Sequence, residues 1–571
     1  MNPPQIRRRD TKRITSPWPV GVHPVLQRVY ASRGVQAPEQ VEYPLQRLLP
    51  PDTLKNIELA AGHLAGAIRH QESILVVGDY DCDGATATAV AVRGLRRLGA
   101  ASVDFRVPSR FAHGYGLSPG LVEVIDPVPA WLITVDNGIA AHAGVAAARA
   151  RGMRVIVTDH HLPGTGSLPE AEAIVNPNQP GDDFPSKSLA GVGVMFYLLL
   201  ALRARMRAQG AFAAHPEPNL AELLDLVALG TVADMVPLDF NNRVLVEAGL
   251  RRIRAGRAVP GIRALIEISK RSAEFMRSTD LGFAVAPRIN AAGRLQDMSL
   301  GITCLLSRDI HRAHEHALEL ERINRQRREL QSAMQAEAED MLAAIGDNGA
   351  TGVVLFDPGW HVGVIGLVAS KIKERFHRPV VALARSADDS GCLNGSARSI
   401  PGFHIRDALA EVDARNPGLL QRFGGHAMAA GLVLHSDDRV RFTRIFDEVV
   451  RQRIEMTALQ PVLWTDGELT EGECGLDLAR QLRFAGPWGQ GFPEPLFDNV
   501  FERCAWKVMA ERHVRLDLRD PRDGSRQQAV IFNAYTGTPP PSRMRVAYTL
   551  GIDAWHGAEK PRLLVAQMAA V

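Results

Sequence analysis

Three short runs of aspartate and histidine carry the chemistry open to this chain of 571 residues. Asp79, Asp81 and Asp83 follow Ile74-Leu75-Val76-Val77, Asp136 follows Leu132-Ile133-Thr134-Val135, and Asp159-His160-His161 follow Val155-Ile156-Val157. Asp234 closes a further apolar stretch, Gly230-Thr231-Val232-Ala233. Carboxylates gathered in one place repel one another unless cations separate them. Hard oxygen donors mixed with imidazole suit Mg²⁺ or Mn²⁺ better than a thiolate-type zinc site would. If these acids meet, they support a two-metal hydrolase, in which paired ions clamp the attacking and leaving oxygens and no protein nucleophile is required. In keeping with that, the chain is read as carrying neither a Gly-x-Ser-x-Gly nucleophile elbow nor a Cys/His catalytic motif.

Parallel strands are the elements that must position such residues. The apolar runs are bounded by Gly and alternate with Ala-rich helical stretches at Ala85 to Leu98 and Ala140 to Arg151, the pattern of a doubly wound α/β sheet with both faces covered. Ligands of such sheets bind outside the carboxyl ends of the strands, where Asp79, Asp136 and Asp159 fall. In Asp79-Tyr80-Asp81-Cys82-Asp83-Gly84 the carboxylates stand at alternate positions and share one side if the segment is extended. The bland alternative is an acidic turn with Asp83 capping the next helix. For His160-His161 taken alone it is a polar surface loop. The constellation, not any single residue, favours ligation.

Composition narrows the class. A formal net charge of +3 does not by itself imply nucleic acid. Five cysteines, Cys82, Cys304, Cys392, Cys474 and Cys504, are scattered without a C-x-x-C pair, which argues against a disulfide framework or zinc knuckle and for a reducing cytoplasm. No apolar run reaches the ~18 residues of a membrane span. Arg7-Arg8-Arg9 precede no signal-like stretch and read as part of a loose basic tail from Met1 to Arg13.

A chain of this length exceeds one core and divides into roughly three or four domains. Between Asp309 and Ile345 there is neither Gly nor Pro. A stripe at Ile323, Leu330, Met334, Met341 and Ile345 predicts one helix, ~55 Å long at ~1.5 Å per residue. Its basic middle, Glu321 to Arg328, is either a solvated connector face or the wall of a nucleic-acid channel. A second α/β unit runs from Gly352 to about Arg453, with turns expected at Asn394-Gly395-Ser396 and Gly424-Gly425-His426. From about Pro461 short alternating stretches such as Val514-Arg515-Leu516-Asp517-Leu518 suggest a small β-barrel.

The acidic motifs, together with Val135-Asp136-Asn137-Gly138 and Gly230-Thr231-Val232-Ala233-Asp234-Met235, resemble the successive motifs of the DHH phosphoesterase superfamily. Pro287-Arg288-Ile289-Asn290-Ala291-Ala292-Gly293-Arg294, Asn394-Gly395-Ser396-Ala397-Arg398-Ser399 and Phe423-Gly424-Gly425-His426 resemble its RecJ branch of single-strand-specific exonucleases. Asp-His-His alone is weak evidence, but this order and spacing extend over nearly the whole chain. The resemblance implies an N-terminal tail and flanking helices (1–70), a doubly wound DHH catalytic domain (71–308), a long connector helix (309–346), a DHH-associated α/β domain (347–456) and an OB-like barrel (457–571).

It further implies two divalent cations, Mn²⁺ or Mg²⁺, on Asp81, Asp83, Asp136, His160 and Asp234, with Asp136 as bridge. Asp79 would be a ligand or a supporting group, and His161 would touch the scissile phosphate. Arg110, Arg288, Arg294 and Arg398 stand in loop-like sequence, where a guanidinium can grip phosphate bidentately or form a surface ion pair. Asn290 joins them in the expected nucleic-acid contacts, and Ser396 with Arg398 fall where the family places a pocket for a 5′ phosphate. Gly424 and Gly425, before His426, read as backbone N–H groups offered to phosphate at a helix start. On the barrel, Trp506, Phe532 and Tyr535 are either stacking surfaces or core.

The function so implied is a cytoplasmic exonuclease that degrades single-stranded DNA from the 5′ end in repair and recombination, with single-strand-binding protein and repair helicases as partners. Its rivals are a small-substrate DHH phosphodiesterase or pyrophosphatase, which would need neither the second α/β unit nor the barrel, and a catalytically silent replication scaffold, which would not need the full set of acids and histidines.

Overall fold

The computed structural model describes residues 4–11, 17–110, 116–164, 166–345, 350–386, 391–535, 537–553 and 558–571. The chain divides into two compact units, Arg8–Arg322 with Trp464–Val571, and Met1–Arg7 with Ile323–Leu463.

In the larger unit the apolar runs form a five-stranded parallel sheet in the order Val103–Arg106, Ile74–Val77, Trp131–Val135, Arg154–Thr158, Ala173–Val175. Alternate residues feed opposite faces. Ile74, Val76, Ile133 and Ile156 enter one buried cluster, while Leu75, Val77, Leu132, Val155 and Val157 enter another, so the runs are apolar throughout because both faces are covered. From Ile74–Val77 the chain crosses to one neighbour and then returns to the other side. This switch point lies between the strands that deliver Asp79 and Asp136, where doubly wound sheets open a ligand crevice.

The Ala-rich Cys82–Arg97 helix packs closely on the Gly191–Ala208 helix: a Cβ at Gly94 would lie 2.2 Å from Leu199 Cδ1. It begins earlier than the sequence suggests, because Asp81 is its N-cap and accepts Gly84 N at 3.0 Å. The alternating acids are therefore not extended; Asp83 lies in the first helical turn. Helices at Leu224–Ala233, Phe240–Arg254 and Ala286–Leu295 also belong to this part of the unit.

The C-terminal strands close into a barrel in the order Phe497–Met509, His513–Arg519, Arg526–Ile531, Lys560–Ala570, Arg543–Asp553, filled by Leu516, Leu518, Ala529, Val546 and Leu563. The expected loose tail needs correcting: Gln5–Arg8 is a strand, and Arg8 pairs with Asp498 at 2.9 Å and with Glu468. Met1 to Pro3, Lys12 and Arg13 lie outside the described residues.

The smaller unit holds a mixed sheet in the order Arg422–Gly425, Ala429–His435, Cys392–Arg398, Val380–Arg385, Val353–Phe356, antiparallel except for the last pair. Two expectations change here. Asn394-Gly395-Ser396 is mid-strand, not a turn; glycine is needed because a Cβ at Gly395 would come within 2.7 Å of Leu432 Cγ. Gly424-Gly425 ends a strand and enters a tight hairpin, with Gly425 at φ +138 and His426 N donating to Ala429 O at 2.7 Å, so it does not start a helix. The long helix runs Ile310–Ile345, with Ile323 and Met334 buried and Leu330 and Met341 half-buried. The side chain of Ile345 is outside the described residues. No described helix is long and apolar enough to cross a membrane.

Candidate metal centre

Three segments of the larger unit bring their acids, and a fourth its histidines, to the switch point. His160 Nε2 lies 3.1 Å from Asp136 Oδ1 and 3.6 Å from Asp234 Oδ2. Donor atoms within 4.8 Å of one another form three overlapping groups: Asp136, His160, His161; Asp83, His160, Asp234; and Asp79, Asp81, Asp136. Asp136 and His160 each recur in two of them, as a centre for a pair of ions requires. All the expected ligands are thus brought together, and Asp79 joins them.

Local structure explains each position. Asp83 is wholly buried and accepts Gly191 N at 2.7 Å and Val192 N at 3.0 Å, at the N-terminus of the Gly191–Ala208 helix. Gly191 cannot be larger, because a Cβ there would fall 2.5 Å from Asp136 Oδ1. Asp136 itself stands at φ +63. Asn137 Nδ2 ties this turn to Val77 O at 3.1 Å and Val135 O at 3.0 Å, stitching neighbouring strand ends. Asp159 does not face the cluster: its Oδ1 accepts His160 N at 2.7 Å and lies 2.8 Å from His161 Nδ1, and its Oδ2 accepts Ile139 N at 2.9 Å.

The electrostatics are those of crowded acids. Burial first, then neighbouring carboxylates, push Asp79, Asp136 and Asp234 well above the usual carboxylate range. Burial and Asp81 push Asp83 up to about 7 against the pull of the Val192 and Gly191 N–H groups. Burial works against a charged His161, yet its bond to Asp159 carries it up to about 9. Asp79 Oδ1 is buried with no hydrogen-bond partner among the described residues. Desolvated acids in an oxygen-rich set with imidazole fit a pair of Mn²⁺ or Mg²⁺ ions.

Residues missed in the sequence support the motif from behind. Asn176 Nδ2 donates to His161 O at 2.9 Å and Asn178 Nδ2 to His160 O at 2.6 Å, fixing the backbone of the histidine pair; the Asn-Pro-Asn run after the Ala173–Val175 strand was the available signal. Gly116-Leu117-Ser118-Pro119-Gly120 does spell Gly-x-Ser-x-Gly, contrary to the expectation that the chain lacks it. Ser118 nevertheless caps the Pro119–Glu123 helix by accepting Leu121 N at 3.3 Å, and no strand among the described residues delivers it, so its hydroxyl is placed as a helix cap.

The expected nucleic-acid residues divide into groups. Arg288 and Arg294 lie in the Ala286–Leu295 helix and Arg398 in a strand, so none of them is on a loop. This helix braces the acidic segment: Asn290 Oδ1 accepts Cys82 N at 2.8 Å, and a Cβ at Gly293 would sit 1.9 Å from Tyr80 O. Arg288 is buried and paired with Glu321 at 2.8 Å. Arg110 lies 4.0 Å over the Tyr80 ring and donates to Gly293 O at 3.2 Å. Arg294 is half-buried at the helix end.

In the smaller unit Arg398 Nη1 donates to Ser396 Oγ at 2.9 Å. Both face the start of the Ile365–Phe376 helix, where a Cβ at Gly366 would meet Arg398 Nη2 at 2.8 Å and Ser396 Oγ at 2.9 Å. Arg398 is in register with Ala429, just after the exposed hairpin of Gly424, Gly425 and His426. On the barrel, Phe532 and Tyr535 are exposed, while Trp506 packs partly against the core.

A doubly wound sheet with carboxylates and imidazole gathered at its switch point defines a metal-dependent phosphoesterase of the DHH class. The DHH family, N-terminal domain, matches residues 73–231, the DHHA1 domain residues 348–452 and the RecJ OB domain residues 465–567. Over 570 residues the chain is 47% identical to the single-stranded-DNA-specific exonuclease RecJ of Escherichia coli, covering 98% of each chain. Crystal structures of Thermus thermophilus RecJ in complex with Mn²⁺ and with Mg²⁺ align with TM-scores of 0.79 and 0.74 at 33% and 31% identity, over 96% of this chain and 76% and 75% of theirs. The chain belongs to the RecJ family of exonucleases.

Proposed function

We propose that this protein is a metal-dependent exonuclease that removes nucleotides from the 5′ end of single-stranded DNA in repair and recombination. The observation that carries the reading is the overlap of three ligand groups on Asp136 and His160 in a chain that matches RecJ over almost its whole length. Asp81, Asp83, Asp136, His160 and Asp234 would hold two divalent cations, with Asp136 shared and Asp79 supporting or joining the set. Those cations supply Lewis acidity and neutralise the charge that builds in an in-line displacement at phosphorus.

The chain's own residues do the rest. His161, its Nδ1 engaged by Asp159, contacts a phosphate oxygen and stabilises the charge developing there. Ser396 and Arg398, set against the start of a helix, offer charge-assisted contacts to a terminal 5′ phosphate. Arg110, Arg294 and the Gly424-Gly425-His426 hairpin extend the contacts to the strand, and exposed Phe532 and Tyr535 offer faces to bases. A cytoplasmic setting, with single-strand-binding protein and repair helicases as partners, completes the reading.

The test is to offer the protein, with Mn²⁺, 5′-labelled and 3′-labelled single strands, a blunt duplex, pyrophosphate and a cyclic dinucleotide. Early release of the 5′ label, with the duplex resistant, is expected. Preference for pyrophosphate or the cyclic dinucleotide would move the protein to the small-substrate branch, and no hydrolysis of any substrate would leave a scaffold.

A further inference from the structure

The turn that follows Asp234 is held by a loop from a distant part of the sequence. Asp234 ends the Leu224–Ala233 helix, and the chain leaves it through Met235, at φ +60, to Asp239, the N-cap of the Phe240–Arg254 helix. A left-handed non-glycine residue beside a functional group persists only where its surroundings hold it. Here both backbone polar groups of Leu238 are satisfied from outside the turn: its N–H donates to Gln490 O at 2.7 Å, and its carbonyl accepts Arg243 Nη1 at 2.7 Å.

The same loop closes sterically on the turn. A Cβ at Gly489 would lie 2.7 Å from Leu238 Cδ1 and 3.1 Å from its Cγ. The Arg243 guanidinium sits 4.2 Å over the Phe492 ring, and Phe492 stacks on Trp488 at 5.1 Å. Arg33 lies 5.3 Å over Trp488 and is locked to Asp466 at 2.7 Å. One continuous arginine–aromatic stack therefore runs from the segment leading into the barrel to the turn after Asp234.

We propose that Arg243 and the Gly489 to Phe492 loop are positioning elements of the metal centre: they hold the Met235 to Asp239 turn so that Asp234 stays beside His160, which couples the barrel's leading segment to metal binding. The proposal rests on the reading of Asp234 as a ligand. Partners that orient metal ligands typically contribute ~10–100-fold to metal affinity.

The test is Mn²⁺ binding to the full chain without DNA, read as free Mn²⁺ by electron paramagnetic resonance, in Arg243→Met, Arg243→Lys, Gly489→Val, Asp234→Asn and Leu516→Ala variants. Arg243→Met and Gly489→Val are expected to weaken Mn²⁺ binding by ~10-fold or more and to raise the Mn²⁺ needed for half-maximal hydrolysis by the same factor. Arg243→Lys, which keeps a cation over Phe492, should regain part of the loss. Leu516→Ala opens a cavity in the barrel core and should lower the melting temperature without weakening Mn²⁺ binding. Wild-type affinity in both Arg243→Met and Gly489→Val, or an equal loss in Leu516→Ala, would overturn the positioning role. Undiminished Mn²⁺ binding in Asp234→Asn would instead remove the ligand reading beneath it.

Discussion

Two groups of buried aspartates in the larger unit are treated in opposite ways. Before the barrel, Asp466 is locked to Arg33 at 2.7 Å with both side chains almost wholly buried. On the first barrel strand, Asp498 is held by Arg8 at 2.9 Å and Arg545 at 2.6 Å. At the switch point of the sheet, Asp79, Asp83 and Asp234 make no ion pair with lysine or arginine among the described residues; the groups interleaved with the acids there are imidazoles. Burial would raise Asp498, but its hydrogen bonds to Arg8, Thr465 and Arg545 hold it below the usual carboxylate range, whereas the switch-point acids are driven upward. A carboxylate whose counter-charge is built into the chain is structural. A cluster in which Asp79, Asp83 and Asp234 have no lysine or arginine partner among the described residues is arranged for cations from solution.

The comparison breaks most sharply by removing one acid from the cluster. Asp83→Ala and Asp136→Ala should each cut hydrolysis by ~10³-fold or more, since several kcal/mol of transition-state charge stabilisation are lost with the ions. Turnover within a few fold of wild type at saturating Mn²⁺ would defeat the two-metal assignment. His161→Ala should lower turnover by ~10²-fold or more while Mn²⁺ binding is kept; a matching loss of metal would move His161 into the ligand set.

On the structural side, Asp466→Ala strands Arg33 as a buried charge and should cost about 3–5 kcal/mol of stability, read by denaturant unfolding, with Mn²⁺ affinity of the folded protein unaltered. The pH dependence carries the sign. Because Asp498 is lowered on folding, its stabilisation is present above the unfolded value near 3.9 and is lost as pH falls through the lower folded value. Asp498→Asn should therefore be less stable at neutral pH and flatten the acid limb of the melting profile; an unaltered acid limb would contradict the assignment.

The smaller unit offers a third arrangement, a half-buried arginine against a helix start, and its effect should be graded. Loss of a charge-assisted contact of about 1.5–3 kcal/mol predicts that Arg398→Ala weakens use of 5′-phosphorylated strands by ~10-fold or more, with 5′-hydroxyl strands little affected. Equal losses on both substrates, at matched salt, would make Arg398 a general backbone contact.

What the sequence disclosed follows from the same physics. Acids after apolar runs announce themselves because burying charge is costly, so Asp79, Asp136 and Asp159 could be placed at strand ends without coordinates. Their supports were harder to read: the Gly191 and Val192 N–H groups on Asp83 act through backbone geometry that residue type does not report, and the Asn176 and Asn178 amides behind the histidines were announced only by an Asn-Pro-Asn run. Glycine pairs misled for the same reason. Gly424-Gly425 signals unusual backbone, but a hairpin and a helix start are spelled alike. Arg398 was read as a loop residue because Gly395 and Ser396 precede it, whereas Gly395 is there to let Leu432 and Leu383 close over a strand.

Thermal melting of Asp234→Asn beside Asp466→Asn, each with and without Mn²⁺, tests the central claim most directly. The account predicts that metal-free Asp234→Asn is at least as stable as wild type, because a repelling charge has gone, and that Mn²⁺ no longer raises its melting temperature. Asp466→Asn should be less stable than wild type yet keep the full Mn²⁺-induced rise. If Asp234→Asn loses stability without metal and still gains the wild-type increment from Mn²⁺, the switch-point acids are not a metal centre.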